Sequence, residues 1–160
     1  MAFAYGTSIT TPNGTTSIEQ LTQGDTVSAW TPDGVVPKEV IFSSGTPGGF
    51  PASGIFFLEF GEGSLIVTRD QPFVLAGNKV KKTNQLKPGD QLLKADGQTL
   101  MLEMISTGQW DRGLHGFAID NSGRSGTHLI IANGIVCGDY VMEMMPSPPD
   151  DSDDMPVFGE

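Results

Sequence analysis

Short apolar stretches rich in Val, Ile, Thr and aromatic residues recur along the chain, each cut off by Gly, Pro, Asn or Asp before it can extend into a helical repeat. Stretches of this kind at 7–11, 26–30, 39–43, 55–60, 65–68, 73–75, 91–94, 100–106, 116–119, 128–132 and 135–137 predict eleven strands. With 21 glycines and 11 prolines between them, no amphipathic helix of more than a few turns finds room, so an all-β fold is expected. Pro12-Asn13-Gly14 and Pro32-Asp33-Gly34 combine a proline that presets φ with a residue that tolerates the left-handed region, and both read as hairpin tips. Segments 17–21 and 82–86 predict single helical turns that each deliver a leucine to the core, and 45–54 reads as a flexible loop between strands.

One phrase occurs twice. Gln20-Leu21 and Gln85-Leu86 are each followed, after two variable residues, by Gly-Asp, at Gly24-Asp25 and Gly89-Asp90, and then by an Asp-Gly turn at Asp33-Gly34 and Asp96-Gly97. The two glutamines stand 65 positions apart, as do the two glycines. A solenoid needs three or more stacked units, so a lone pair at this spacing points to a duplicated half-domain folded against its copy.

Composition narrows the function more than the fold. At 160 residues the chain suits one domain, assigned to 1–145, with a proline-rich and acidic tail at 146–160 that has too little apolar surface to order itself. That tail reads as a linker, or as an acidic peptide whose Met155-Pro-Val-Phe anchors in a protein partner. A net charge of −10 argues against nucleic acid, since a phosphate backbone would be repelled. One cysteine and two histidines cannot form a disulfide or a structural metal site, and no cofactor is expected. No apolar run reaches the roughly 18 residues needed to cross a bilayer, and a monomer is expected.

Taken alone, the candidate chemistry is sparse. His128, in THLIIANGIV, is either a hydrogen-bonded structural histidine or a catalytic one. Cys137 lies between Val136 and Gly138 and reads as a small buried hydrophobe. Thr68 and Gln71 close an apolar strand where polar side chains can face a cleft, and no serine elbow, phosphate loop or dinucleotide fingerprint occurs.

Three blocks nevertheless resemble a known family. AFAYGTSITTPNGTTSIEQLTQGDTVSAW is similar to the start of Hint domains, the module shared by hedgehog autoprocessing domains and inteins, with Ala2 at the position of the nucleophilic cysteine. VTRDQPFVLAGNKVKKTNQLKPGDQLL resembles the segment built on Thr-x-x-His-Pro-Phe, with Thr68 kept and Gln71 at the histidine position. THLIIANGIVCGDY resembles the closing strand pair of inteins, with His128 and Asn133-Gly134 matched and Gly138-Asp139 in place of the terminal His-Asn.

The resemblance, closest to bacterial intein-like autoprocessing domains, implies a β horseshoe of two pseudo-symmetric halves, in keeping with the repeat. It implies an N–S acyl shift at the N-terminal junction, performed in cis on flanking polypeptide, with position 2 as nucleophile and Thr68, the residue at 71, His128 and the residue at 139 in attendance. Ala2 cannot attack a carbonyl, so the chain as written is expected to be inactive. Either a cysteine has been exchanged in an otherwise competent domain, or the domain has lost its chemistry and keeps the fold as a scaffold or protein-binding module.

Overall fold

The two Gly-Asp pairs of the repeated phrase build the same turn. Gly24 and Gly89 adopt φ of 96° and 98°, a region in which a side chain would be strained. The Asp25 carboxylate accepts from Thr22 N at 2.9 Å, and that of Asp90 from Lys87 N at 3.0 Å. Gly24 N then donates to the Val40 carbonyl and Gly89 N to the Leu102 carbonyl, both at 2.8 Å. These bonds hold the buried Val40 and Leu102 between strands rather than within them. The strands expected at 39–43 and 100–106 are therefore each interrupted.

A computed structural model describes residues 2–147. Its strands are β1 (Phe3–Ala4), β2 (Ser8–Thr11), β3 (Gly14–Ser17), β4 (Thr26–Thr31), β5 (Gly34–Glu39), β6 (Phe42–Pro47), β7 (Ala52–Phe60), β8 (Gly63–Val67), β9 (Pro72–Leu75), β10 (Lys79–Lys82), β11 (Gln91–Leu93), β12 (Thr99–Met101), β13 (Met104–Trp110), β14 (Gly113–Ala118), β15 (Leu129–Ala132) and β16 (Ile135–Gly138), followed by the one-turn helix α1 (Tyr140–Glu143). The expected helical turns are 3-10 turns at Ile18–Gln20 and Thr83–Gln85, and they place Leu21 and Leu86 in the core.

Some strands carry no apolar signature. Every residue of β5 is exposed because its one partner is β4, and Lys-Val-Lys-Lys in β10 hangs on the outside of β9. The loop expected at 45–54 shrinks to 48–51, because β6 runs on to Pro47 beside β14. A Cβ at Gly45 would stand 2.3 Å from His115 Nδ1, so glycine is needed there for close strand approach. The tail expected at 146–160 lies, beyond residue 147, outside the described residues.

The duplication is legible in the sheets. One has the order β13-β7-β8-β1-β14-β6, which reads the same from both ends once equivalent strands are matched: β6 with β13, β7 with β14, β1 with β8. Each half gives its last strand away. β7 pairs only with β8 and β13, and β14 only with β1 and β6. In the second sheet the β15–β16 hairpin lies between β2 and β9; β4 touches it at Ala29↔Ile130, and Lys94, just past the equivalent strand β11, bridges to it at Ile135. Between the sheets lies an apolar core in which Phe3, Phe60, Phe73 and Phe117 are fully buried.

Candidate functional site

The pseudo-twofold axis passes through the pairing Phe3↔Val67 of β1 and β8, so the residues flanking that pair meet where the halves join. Ala2 is 1% exposed, and its carbonyl accepts from Thr68 N at 3.1 Å. The turn that follows is made twice: Thr7 N donates to Ala4 O and Gln71 N to Thr68 O, both at 3.2 Å. A Cβ at Gly116 would stand 3.5 Å from Ala2 N and 3.2 Å from the Tyr140 ring. The bare glycine thus allows β1 and the start of α1 to close on one spot. Tyr140 is steadied by stacking on Phe42, centroids 5.5 Å apart.

Thr68 points its hydroxyl away from its own strand, donating to Glu143 Oε2 at 2.7 Å. Burial pushes the Glu143 carboxyl up from its ordinary range, more than the Thr68 hydrogen bond brings it down. Lys82 Nζ donates to the Glu143 carbonyl at 2.9 Å and to the Met145 carbonyl, tying the end of α1 to β10. Gln71 is fully buried and spends both amide hydrogens on backbone carbonyls, Pro72 O at 3.0 Å and Gly138 O at 2.8 Å. It braces β9 against the end of β16.

His128 and Asp139 form a second buried cluster. His128 Nδ1 lies 3.0 Å from both Asp139 carboxylate oxygens, and Nε2 lies 2.7 Å from the Ser122 carbonyl. Both ring nitrogens face acceptors, so both must carry hydrogen, and the imidazolium is the form that satisfies them. Burial alone would lower its pKa, but the Asp139 hydrogen bond and charge, the Ser122 carbonyl and Asp120 together raise it. Asp139 also accepts from Ile119 N at 2.9 Å and from Met142 N at 3.0 Å, capping α1. Among the described residues His128 makes no hydrogen bond to Ala2 or Thr68; its link to them runs through Asp139 and α1.

A pH dependence follows. A histidine whose folded pKa is raised stabilises the fold fully below its unfolded value near 6.5, and the contribution is lost as pH rises through the folded pKa. Each tenfold difference in proton affinity between the folded and unfolded chain is worth about 1.4 kcal/mol. Urea denaturation at a series of pH values, with His128→Gln as reference, should show the stability gap narrowing as pH rises from mildly acidic to alkaline. A gap that stays constant would mean that folding leaves the His128 pKa unchanged, and one that widens would mean that His128 is neutral in the folded chain.

The structure thus gathers Ala2, Thr68 and Gly116 at one point, and His128 with Asp139 at another, the two bridged by α1. Glu143 escaped the sequence reading because Tyr-Val-Met-Glu-Met-Met merges with the proline-rich tail. Its signal was Asp139, a capping residue type set before a short run able to turn once. Among the described residues no group of three or more His, Cys, Asp or Glu gathers to hold a metal ion.

No family model and no curated protein matches the chain. Solved structures do. The chain is similar to a bacterial intein-like domain from Clostridium thermocellum (TM-score 0.72, 24% identity, covering 86% of this chain and 98% of that one). It is also similar to a DnaB intein from Synechocystis (0.67, 15%, 86% and 97%). A third is the gp41-1 intein in a variant with alanine for its first cysteine (0.64, 19%, 86% and 98%). The palindromic sheet, the duplicated Gly-Asp turns and these likenesses agree that the chain has the Hint fold of bacterial intein-like domains and inteins.

Proposed function

We propose that this chain is an intein-like autoprocessing domain that rearranges the peptide bond preceding position 2, and that it is inert as written because Ala2 supplies no nucleophile. The observation that carries the reading is the placement of Ala2: buried on the axis between the halves, its carbonyl held by Thr68 N at 3.1 Å, its nitrogen beside Gly116. A thiol at this position would attack the carbonyl of the preceding residue and exchange the amide for a thioester. Thr68 N and the strand pairing of Phe3 with Val67 and His115 would keep the residue fixed while the bond turns over.

The other junction supports cleavage rather than splicing. Asp139 has no side-chain amide to cyclise, its carboxylate is committed to His128, Ile119 and Met142, and Tyr140 offers no Ser, Thr or Cys acceptor. Release of upstream polypeptide, by water or an added nucleophile on the thioester, is the activity left to it.

A second reading, a non-catalytic Hint-fold scaffold or protein-binding module, is favoured by one observation: Gln71 has both amide hydrogens locked in structure. Mass spectrometry of an Ala2→Cys chain carrying upstream residues, with and without hydroxylamine, separates the two. Autoprocessing gives a nucleophile-dependent break before position 2; a scaffold stays whole.

A further inference from the structure

Thr68 joins two things that the proposed reaction keeps apart in sequence: the residue whose nitrogen must leave, and a buried carboxyl 75 positions downstream. Resting on the autoprocessing reading, we propose that Glu143, acting through the Thr68 hydroxyl, is the positioning residue that supplies the leaving-group proton of the acyl shift. Gln71 cannot perform this task, because its two amide hydrogens already go to Pro72 O and Gly138 O, and an amide does not exchange protons near neutral pH.

One residue touches both ends: the backbone of Thr68 meets Ala2 and its side chain meets Glu143. Thr68 N holds the Ala2 carbonyl at 3.1 Å, and Thr68 Oγ1 donates to Glu143 Oε2 at 2.7 Å. The carboxyl is brought there by α1, which is fixed at its start by the Asp139 cap and at its end by Lys82. Gly138 permits the fold-back, since a Cβ there would stand 2.6 Å from Met142 Sδ. Glu143 is 5% exposed, and the charges that act on it include that of Lys82, which favours its ionised form, and that of Asp70, which opposes it.

The step balances without any co-reactant. Sulfur at position 2 bonds to the preceding carbonyl carbon, and the carbon–nitrogen bond breaks. The departing nitrogen takes the Thr68 hydroxyl proton, Glu143 refills that hydroxyl, and the thiol proton returns to Glu143. One proton has moved from sulfur to nitrogen, and nothing is oxidised or reduced.

The test uses the Ala2→Cys chain with upstream residues and follows hydroxylamine-dependent cleavage over a pH series from mildly acidic to alkaline. Glu143→Gln should slow cleavage about 100-fold at neutral pH and abolish the decline in rate that accompanies carboxyl ionisation. Glu143→Asp should keep that decline but move it along the pH axis, and it decides the matter should the Gln variant not fold. A Gln variant with the parent rate and profile overturns the inference alone. So does one slowed equally at every pH with the decline retained, which marks a structural role. If the Ala2→Cys parent never cleaves, the autoprocessing reading and this inference fall together.

Discussion

With polypeptide fused ahead of it, the Ala2→Cys chain is expected to release that segment when hydroxylamine or a thiol is added, while the Ala2 chain remains whole under the same conditions. No other group can take over. Cys137 is fully buried, its thiol donates to the Ile135 carbonyl at 3.3 Å, and burial pushes its pKa far up. The Thr7 hydroxyl is spent on Ala4 O at 2.7 Å. The sulfur itself is one atom beyond the existing Cβ, in a site already closed, and holding nucleophile and carbonyl together is worth an effective concentration of roughly 10⁵ M or more. The change is therefore from no product to complete conversion. Thr68→Ala in that background should slow cleavage by roughly 10²-fold, through loss of the hydroxyl that reaches Glu143. Gln71→His should speed it, provided the imidazole keeps one N–H on Gly138 O and frees its second nitrogen for the site. Intact mass over time reads all three, and an Ala2→Cys chain that never breaks would leave the scaffold reading standing.

Asp139→Ala is expected to be the most damaging single substitution for stability, costing about 4 kcal/mol in urea denaturation, which is a large part of what a domain of this size possesses. Three donors converge on this carboxylate: the His128 ring, Ile119 N and Met142 N. Truncation strands a buried imidazolium, leaves two buried N–H groups without an acceptor, and removes the cap of α1. The terms overlap, so they do not simply add. Asp139→Asn keeps the shape and part of the accepting capacity and should cost about half as much. It restores the residue type that inteins cyclise, yet the side chain is held towards His128 and Ile119, so no cleavage before Tyr140 is expected. Equal losses for Ala and Asn would show that charge, rather than the network of acceptors, is what matters.

The duplication, the all-β class and the helical turns were legible because they rest on local chemistry. A Gly-Asp turn needs glycine in the left-handed region and a carboxylate that reaches back to the backbone N–H opening the turn, and both leave the same mark wherever they occur. Of the strands that escaped, β3, β5 and β10 are polar or exposed and owe their extension to a neighbour rather than to their own pattern, while β1 is buried but only two residues long. At the candidate site, Ala2, Thr68, Gln71, His128 and Asp139 were named from motif alone, and the partners that the structure gives them were not. Ser122 binds His128 through its carbonyl, which every residue has, and Lys82 reaches backbone carbonyls in the same way. Such contacts depend on where the chain returns, and side-chain identity does not record that.

The exchange of β7 and β14 makes the domain equivalent to a swapped dimer tied into one chain. A half standing alone would present its donated strand to solvent and an open slot where the other half's strand belongs, and it could close that slot only on a second copy of itself. The present chain is what such a pair becomes when the two copies are fused. At the seam of the former dimer, β1 against β8, a residue of each copy meets its counterpart, and it is there that Ala2 is held by Thr68.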